Sequence, residues 1–368
     1  MTSSATAEAK REKPSTQDHE DTQEAKLASN GRWAAAITLM CYFYGDLTIS
    51  STMPKDPRQS DWLSTKTPLP ALFSCLAYVF IVTWWGPRFM RNREPVKGLR
   101  HLMMFYNAFQ VVFNSYIFYQ GGMNGWFGTY APICETCTFT NQPKSLGMLD
   151  AAYWYYISKF VDFIDTFFFV VHKKYNHISL LHVSHHALMP ISTWFGVVYQ
   201  PGGHATFMGF INAFVHVLMY SYYLLAAMGP KVRPYLWWKK YLTTIQMIQF
   251  IAMFLHSMVI LIVSDCNVPH QFARWVGSMS LVFQFLFMDF YIKAYRKKGA
   301  SLLVCKLDND LLKRVVRENY NQPVQANGIK PEAHTGAICK VAPQKLHSEE
   351  DSDIANSIFS LRYRVAAS

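Results

Sequence analysis

The sequence predicts an all-α membrane protein with seven transmembrane helices. Three observations carry that prediction. Apolar stretches of bilayer-spanning length recur through the middle of the chain. Lys and Arg are dense in alternate loops and sparse in the others. Polar side chains inside four of the stretches repeat at helical spacing. Hydrophobic residues make up 51% and aromatics 16%, yet mean hydropathy is only +0.04, because polar ends offset the apolar middle.

Residues 1–32 are rich in Ser, Thr, Glu, Lys and Asp and have almost no aromatic residue, so they are expected to be a disordered polar tail. They contain no apolar core of the kind a secretory signal requires. The stretch from Trp33 to Tyr44 is short and is followed by Gly45-Asp46, which makes 33–60 an interfacial segment and lead-in. The seven-helix domain is expected over 61–298, with spans near 69–86, 102–119, 148–171, 179–199, 204–227, 241–263 and 275–293. Residues 299–368 are a second polar tail, expected to be disordered and cytosolic.

Orientation follows from the loops. Loops 1–2, 3–4 and 5–6, with the segment after span 7, hold Arg88, Arg91, Arg93, Lys97, Arg100, Lys173, Lys174, Lys231, Arg233, Lys239, Lys240, Lys293, Arg296, Lys297 and Lys298. The opposite loops hold Lys144 and Arg274. The bias places the C-terminus in the cytosol and the N-terminus across the membrane. It also accounts for the net charge of +11 without nucleic acid, because the basic residues form short clusters between spans rather than one extended face. Cys134, Cys137 and Cys266 fall in non-cytosolic loops, where a disulfide can form. Cys134–Cys266 is the expected bridge, with Cys137 the competing partner for Cys266.

Charged or imidazole groups at bilayer depth are costly, so each polar stripe is a candidate functional surface. Span 3 carries Lys159, Asp162 and Asp165/Thr166 on one face, a site wall or a Lys–Asp pair that only fixes helix packing. Span 4 opens with His182-Val183-Ser184-His185-His186, aligning His182, His185 and His186 at i, i+3 and i+4. Span 5 carries Asn212, His216, Tyr220 and Tyr223, and span 6 carries Thr243, Gln246 and Gln249. The span 6 stripe reads equally as interhelical glue or as substrate contact.

These four motifs, in this order, resemble the very-long-chain fatty-acid elongases, the membrane 3-oxoacyl-CoA synthases of the endoplasmic reticulum. The resemblance rests on Lys159-x-x-Asp162-x-x-Asp165-Thr166-x-Phe168, Leu181-His182-x-x-His185-His186, Asn212-x-x-x-His216-x-x-Met219-Tyr220-x-Tyr222-Tyr223 and Thr243-x-x-Gln246-x-x-Gln249-Phe250. With flanking text it extends over roughly residues 60 to 298. The chain departs from the family pattern at Asp162, usually Glu, at Ser184, usually aromatic, and at Asp289, usually Asn. The resemblance implies that helices 2–7 enclose a substrate tunnel, with acyl-CoA and malonyl-CoA as substrates and no bound metal or cofactor. It adds endoplasmic-reticulum residence and, as candidate partners, other enzymes of the elongation cycle and a second copy of the chain.

No cysteine lies on a polar stripe, so histidine must take over the role that cysteine plays in soluble condensing enzymes. His182 is the expected acyl acceptor, with His185, His186 and His216 orienting it and stabilising an enolate. A one-step route would use the histidines only as acid–base groups. Lys240 and Arg296 are expected to hold CoA phosphates, although the positive-inside bias alone would also place cations there. Two rivals were weighed. A di-iron desaturase or hydroxylase is suggested by His172-x-x-x-x-His177 followed by the His182 box, but the sequence has no third box. A seven-span receptor or transporter gives no reason for matched polar stripes.

Overall fold

The computed structural model describes residues 16–59, 62–263 and 266–292. The regular structure among them is helical. The main helices are α1 (Thr16–Gly45), α2 (Leu69–Met90), α3 (Arg100–Gly121), α4 (Pro143–Val161), α5 (Phe163–Val171), α6 (Leu180–Tyr199), α7 (Phe207–Ala227), α8 (Lys239–Ile262) and α9 (His270–Tyr291). Each of the seven apolar stretches falls on one of these helices or, for 148–171, on the pair α4 and α5. Three helical segments, Leu69–Met90, Gly203–Ala227 and Tyr241–Ile262, are long and apolar enough to cross a membrane.

Local chemistry sets the helix starts. Pro143 opens α4 at a position whose N–H has no helical acceptor in any case. Ser179 caps α6 by accepting from the backbone N–H of His182 at 3.2 Å, which fixes the register of the histidine box from its first turn. Pro190 lies inside α6 and cannot donate to the carbonyl four residues back, that of His186. The chain turns at Asp162, between α4 and α5, in the middle of the Lys159–Thr166 stripe.

Helix α3 packs on α4 and α7, α4 on α6, α7 on α8, and α8 on α9. The α6–α9 seam is made by aromatic side chains, Phe195 with Trp275 at 5.5 Å and His185 with Phe283 at 4.9 Å. These contacts close a ring of helices, with α1 and α2 outside it against α6. The ring's interior is largely filled. One cavity, between α3, α4, α6, α7 and α9, measures about 50 Å³.

The N-terminal expectation needs correction. Residues from Thr16 onward form α1, which continues through a π turn at Asp46–Ser50, so the expected disordered tail does not describe 16–32. The helix docks on the rest of the molecule, with Leu27 and Ala34 inside the core. The chain beyond α1 is also anchored. Arg58 pairs with Asp56 and donates to Thr140 O at 2.8 Å and Ser145 Oγ at 2.9 Å, next to the start of α4. Residues 1–15 and 293–368, with the tail expected over 299–368, lie outside the described residues.

Cys134 and Cys266 form a disulfide that ties the loop before α4 to the α8–α9 loop. Cys137 is a free thiol, and burial pushes its pKa up to about 12. Cys266→Ser is expected to lower unfolding stability by about 2–4 kcal/mol, measured as a lower thermal midpoint in detergent. Cys137→Ser should leave the bridge intact, as read from the intact mass of alkylated protein with and without reductant.

Candidate active site

The site is best built from Asp162, where the chain turns between α4 and α5. Its carboxylate is 3% exposed and takes hydrogen bonds from Gln110 Nε2 at 2.8 Å and Tyr220 OH at 3.0 Å. Lys159 Nζ stands 3.4 Å from its second oxygen, and His216 Nδ1 stands 4.0 Å from that same oxygen. Lys159, 2% exposed, also donates to Asn212 Oδ1 at 3.1 Å and lies 4.5 Å from the centre of the Tyr155 ring. Tyr155 OH donates to that Asn212 oxygen at 3.0 Å. A buried cation and anion are thus each held by further polar groups, the condition under which an ion pair can persist away from water.

The next helical turn links this network to the histidines. Asp165 accepts from Tyr220 OH at 2.8 Å. Its neighbour Thr166 makes a 2.7 Å hydrogen bond to His182 Nε2, and Tyr78 OH lies 2.9 Å from the Thr166 hydroxyl. His182 and His186 have ring centroids 4.1 Å apart, and His185 and His186 are 5.5 Å apart. All three rings are buried. His185 Nδ1, His186 Nε2 and Ser184 Oγ are buried without a hydrogen-bond partner among the described residues. Buried polar atoms in that condition call for an explanation, of which a bound ligand is one.

The remaining expected residues divide. Tyr223 packs edge-on to Tyr220 at 5.9 Å, beside the ionic network. Thr243, Gln246 and Gln249 are buried on α8, and Gln246 Nε2 reaches Met219 Sδ at 3.5 Å. Gln249 is buried with neither amide atom partnered among the described residues. Lys240 lies on α8, but its side chain and the whole of Arg296 lie outside the described residues. In the segment before the box, His172 Nδ1 bonds Phe168 O at 2.7 Å, and the His177 ring lies tilted against Phe169 with centroids 5.8 Å apart.

Sequence reasoning missed Gln110, Tyr78 and Tyr155. The signal for Gln110 was present, since Asn107, Gln110 and Asn114 form a buried polar stripe in span 2 at i, i+3 and i+7. Tyr78 and Tyr155 gave none, because a tyrosine in an apolar run reads as packing until its hydroxyl finds a partner.

Fold and site together define an all-helical membrane protein with a histidine trio buried beside an ionic network. The sequence profile of the ELO: GNS1/SUR4 family matches residues 63–302, and the chain belongs to this family. Among its relatives is a very long chain fatty acid elongase of Aedes aegypti, 50% identical over 242 residues, which are 66% of this chain and 67% of the relative. Very long chain fatty acid elongase 7 of Drosophila melanogaster is 48% identical over 246 residues, 67% of this chain and 74% of its own. Elongase 7 of Rattus norvegicus is 41% identical over 243 residues, 66% of this chain and 86% of its own.

Removing one partner of the buried pair leaves the other uncompensated, whereas removing both does not. Lys159→Met is therefore expected to destabilise the protein by about 3–5 kcal/mol. Lys159→Met with Asp162→Asn should cost less than the two single changes added, and a double-mutant cycle of unfolding midpoints in detergent reads the coupling directly.

Proposed function

We propose that the chain is a fatty-acid elongase that condenses long-chain acyl-CoA with malonyl-CoA to give 3-oxoacyl-CoA, CO₂ and CoA. The observation that carries this is the buried histidine trio on α6, joined through Thr166 to the Lys159–Asp162 network, in a family whose named relatives are very long chain fatty acid elongases. Such a site pairs nucleophilic, proton-exchanging rings with a fixed cation that can face developing negative charge.

The proposed route has two steps. An imidazole nitrogen attacks the acyl-CoA carbonyl carbon, the C–S bond breaks, and CoA leaves as a thiol with the ring proton. Malonyl-CoA then loses CO₂; the electron pair of the broken C–C bond forms an enolate, which attacks the acyl-imidazole carbon, the C–N bond breaks, and the departing imidazolate takes a proton from water to give 3-oxoacyl-CoA and free histidine. His182 is the acyl acceptor expected in the sequence reading. Its Nε2 bond to Thr166 moves our proposal to His185, whose ring lies against Phe283 and whose Nδ1 has no partner among the described residues. His182 then orients the trio, and His216 and Lys159 stabilise the enolate. The reaction as proposed needs no bound metal or cofactor.

We further propose seven membrane spans, α2 through α9 with α4 and α5 counted as one. The helices from α3 onward would enclose the acyl chain, the C-terminus would be cytosolic, and the membrane would be that of the endoplasmic reticulum. The positive-inside bias supports the orientation, and the ring of helices supports the enclosure. The box lies just after Lys173-Lys174, so CoA would arrive at that face, with Lys240 and Arg296 as its proposed phosphate contacts. Other elongation-cycle enzymes and a second copy of the chain remain the proposed protein partners.

Microsomes carrying the chain, given labelled malonyl-CoA and a panel of acyl-CoAs, should yield products one elongation cycle longer. His185→Ala and His182→Ala should each lower the rate by about 10²–10⁴-fold, with protein levels unchanged. Absence of label incorporation by the wild type across the panel would contradict the reading.

A further inference from the structure

Helix α1 lies before the family match, which begins at residue 63, yet it is fitted closely to the helices of the family domain. It runs along α6 and crosses the π turn of α2. A Cβ on Gly31 would collide with the Thr83 side chain, and one on Gly45 would collide with the Phe195 ring, so close backbone approach is built in at both positions. Tyr44 stacks on Trp275 of α9 at 5.7 Å. Beyond the helix, Asp56 N–H donates to Val198 O at 2.9 Å and the Gln59 side-chain amide donates to Val197 O at 2.5 Å. Those carbonyls belong to the last turn of α6, where helical donors run out. Helix α1 therefore spans the seam between α6 and α9, which is held by side chains.

Through that seam its apolar face reaches the ring's interior. Ile37 and Cys41, one turn apart, pack against a buried cluster of Leu188 from α6, Phe250 and Met253 from α8, and Phe283 and Phe287 from α9. Phe283 also touches the His185 ring, with centroids 4.9 Å apart. On the far side Met208 packs against the cluster and lines the interior cavity together with Thr193 and Gly196. Gly196 is about 16 Å beyond His185 along α6, at 1.5 Å per residue. The cluster thus touches the His185 ring through Phe283 and the cavity lining through Met208.

The cavity of about 50 Å³ is far below the roughly 300–1,000 Å³ of sites that bury whole ligands. An acyl chain leaving the box past His185 and Phe283 would displace cluster side chains. The cluster is bounded by helices of the ring except where Ile37 and Cys41 close it.

We propose that Ile37 and Cys41 of α1 form one wall of the acyl-chain path and set which chain lengths the enzyme accepts. The inference rests on the elongase reading. Bulk at these positions limits how far the Leu188–Phe283 cluster can move aside, and lost bulk lets it move further. An element outside the family match would thereby tune the substrate range of the family's site.

The test uses the full-length chain in microsomes with labelled malonyl-CoA and saturated acyl-CoAs of increasing length, reading the ratio of the longest to the next-longest product. Ile37→Trp should lower that ratio and Ile37→Ala should raise it, each by about tenfold, with Cys41→Trp acting like Ile37→Trp. Phe43→Ala, on the exposed face of α1, serves as the control and should keep the wild-type ratio. If Ile37→Trp fails to accumulate, Ile37→Ala and Ile37→Met still report the ratio. Wild-type ratios in the accumulating Ile37 variants, with elongation intact, would overturn the inference alone. A wild type that elongates nothing would overturn the elongase reading and the inference with it.

Discussion

The structure depends on keeping Lys159 and Asp162 charged inside an apolar helix bundle. Each ion alone is costly at that depth, and their mutual attraction repays the cost only with good geometry and further hydrogen bonds. The sequence supplies those bonds from two other helices: Gln110 from α3, and Asn212 and Tyr220 from α7. The helices must therefore meet at one depth and in one rotation. A shift of one residue in any of them would leave a buried charge or a buried donor without its partner.

That constraint also shapes the chemistry. A polar interior satisfied at one end and incompletely satisfied at the other has a built-in direction. The Asp162 end is saturated by donors, while around the box His185, His186 and Ser184 each keep a buried polar atom without a partner among the described residues. Ser179 and Pro190 bracket the box on α6, the first fixing its register and the second removing the donor to the His186 carbonyl. Rigid placement of rings beside a fixed cation is what lowers a barrier through preorganisation rather than through binding alone.

Much of this was legible because period and polarity coincide in a membrane protein. A polar residue in an apolar run is expensive, so Lys159, Asp162, His182, His185, His186 and His216 stood out at helical spacing, and the structure brings them to one region. Gln110 obeyed the same rule and could have been found with it. Tyr78 and Tyr155 could not, since their apolar bodies fit the pattern and only the fold shows where the hydroxyls go. Helix α1 was misread for the opposite reason. Its polar composition before Trp33 matches a tail, and the burial of Leu27 and Ala34 depends on a docking surface formed by distant helices. The Cys134–Cys266 bridge, by contrast, was legible from the placement of both cysteines in loops on the same side, and it is present.

The central claim is that the α6 histidines form a covalent acyl carrier. Mass spectrometry of the peptide containing His182–His186, after purified protein is incubated with acyl-CoA alone and quenched, tests it most directly. The account predicts an added acyl mass on that peptide, localised to His185 by fragmentation, that disappears on addition of malonyl-CoA. An unmodified peptide from protein that then elongates normally would contradict it and leave the histidines as acid–base groups only.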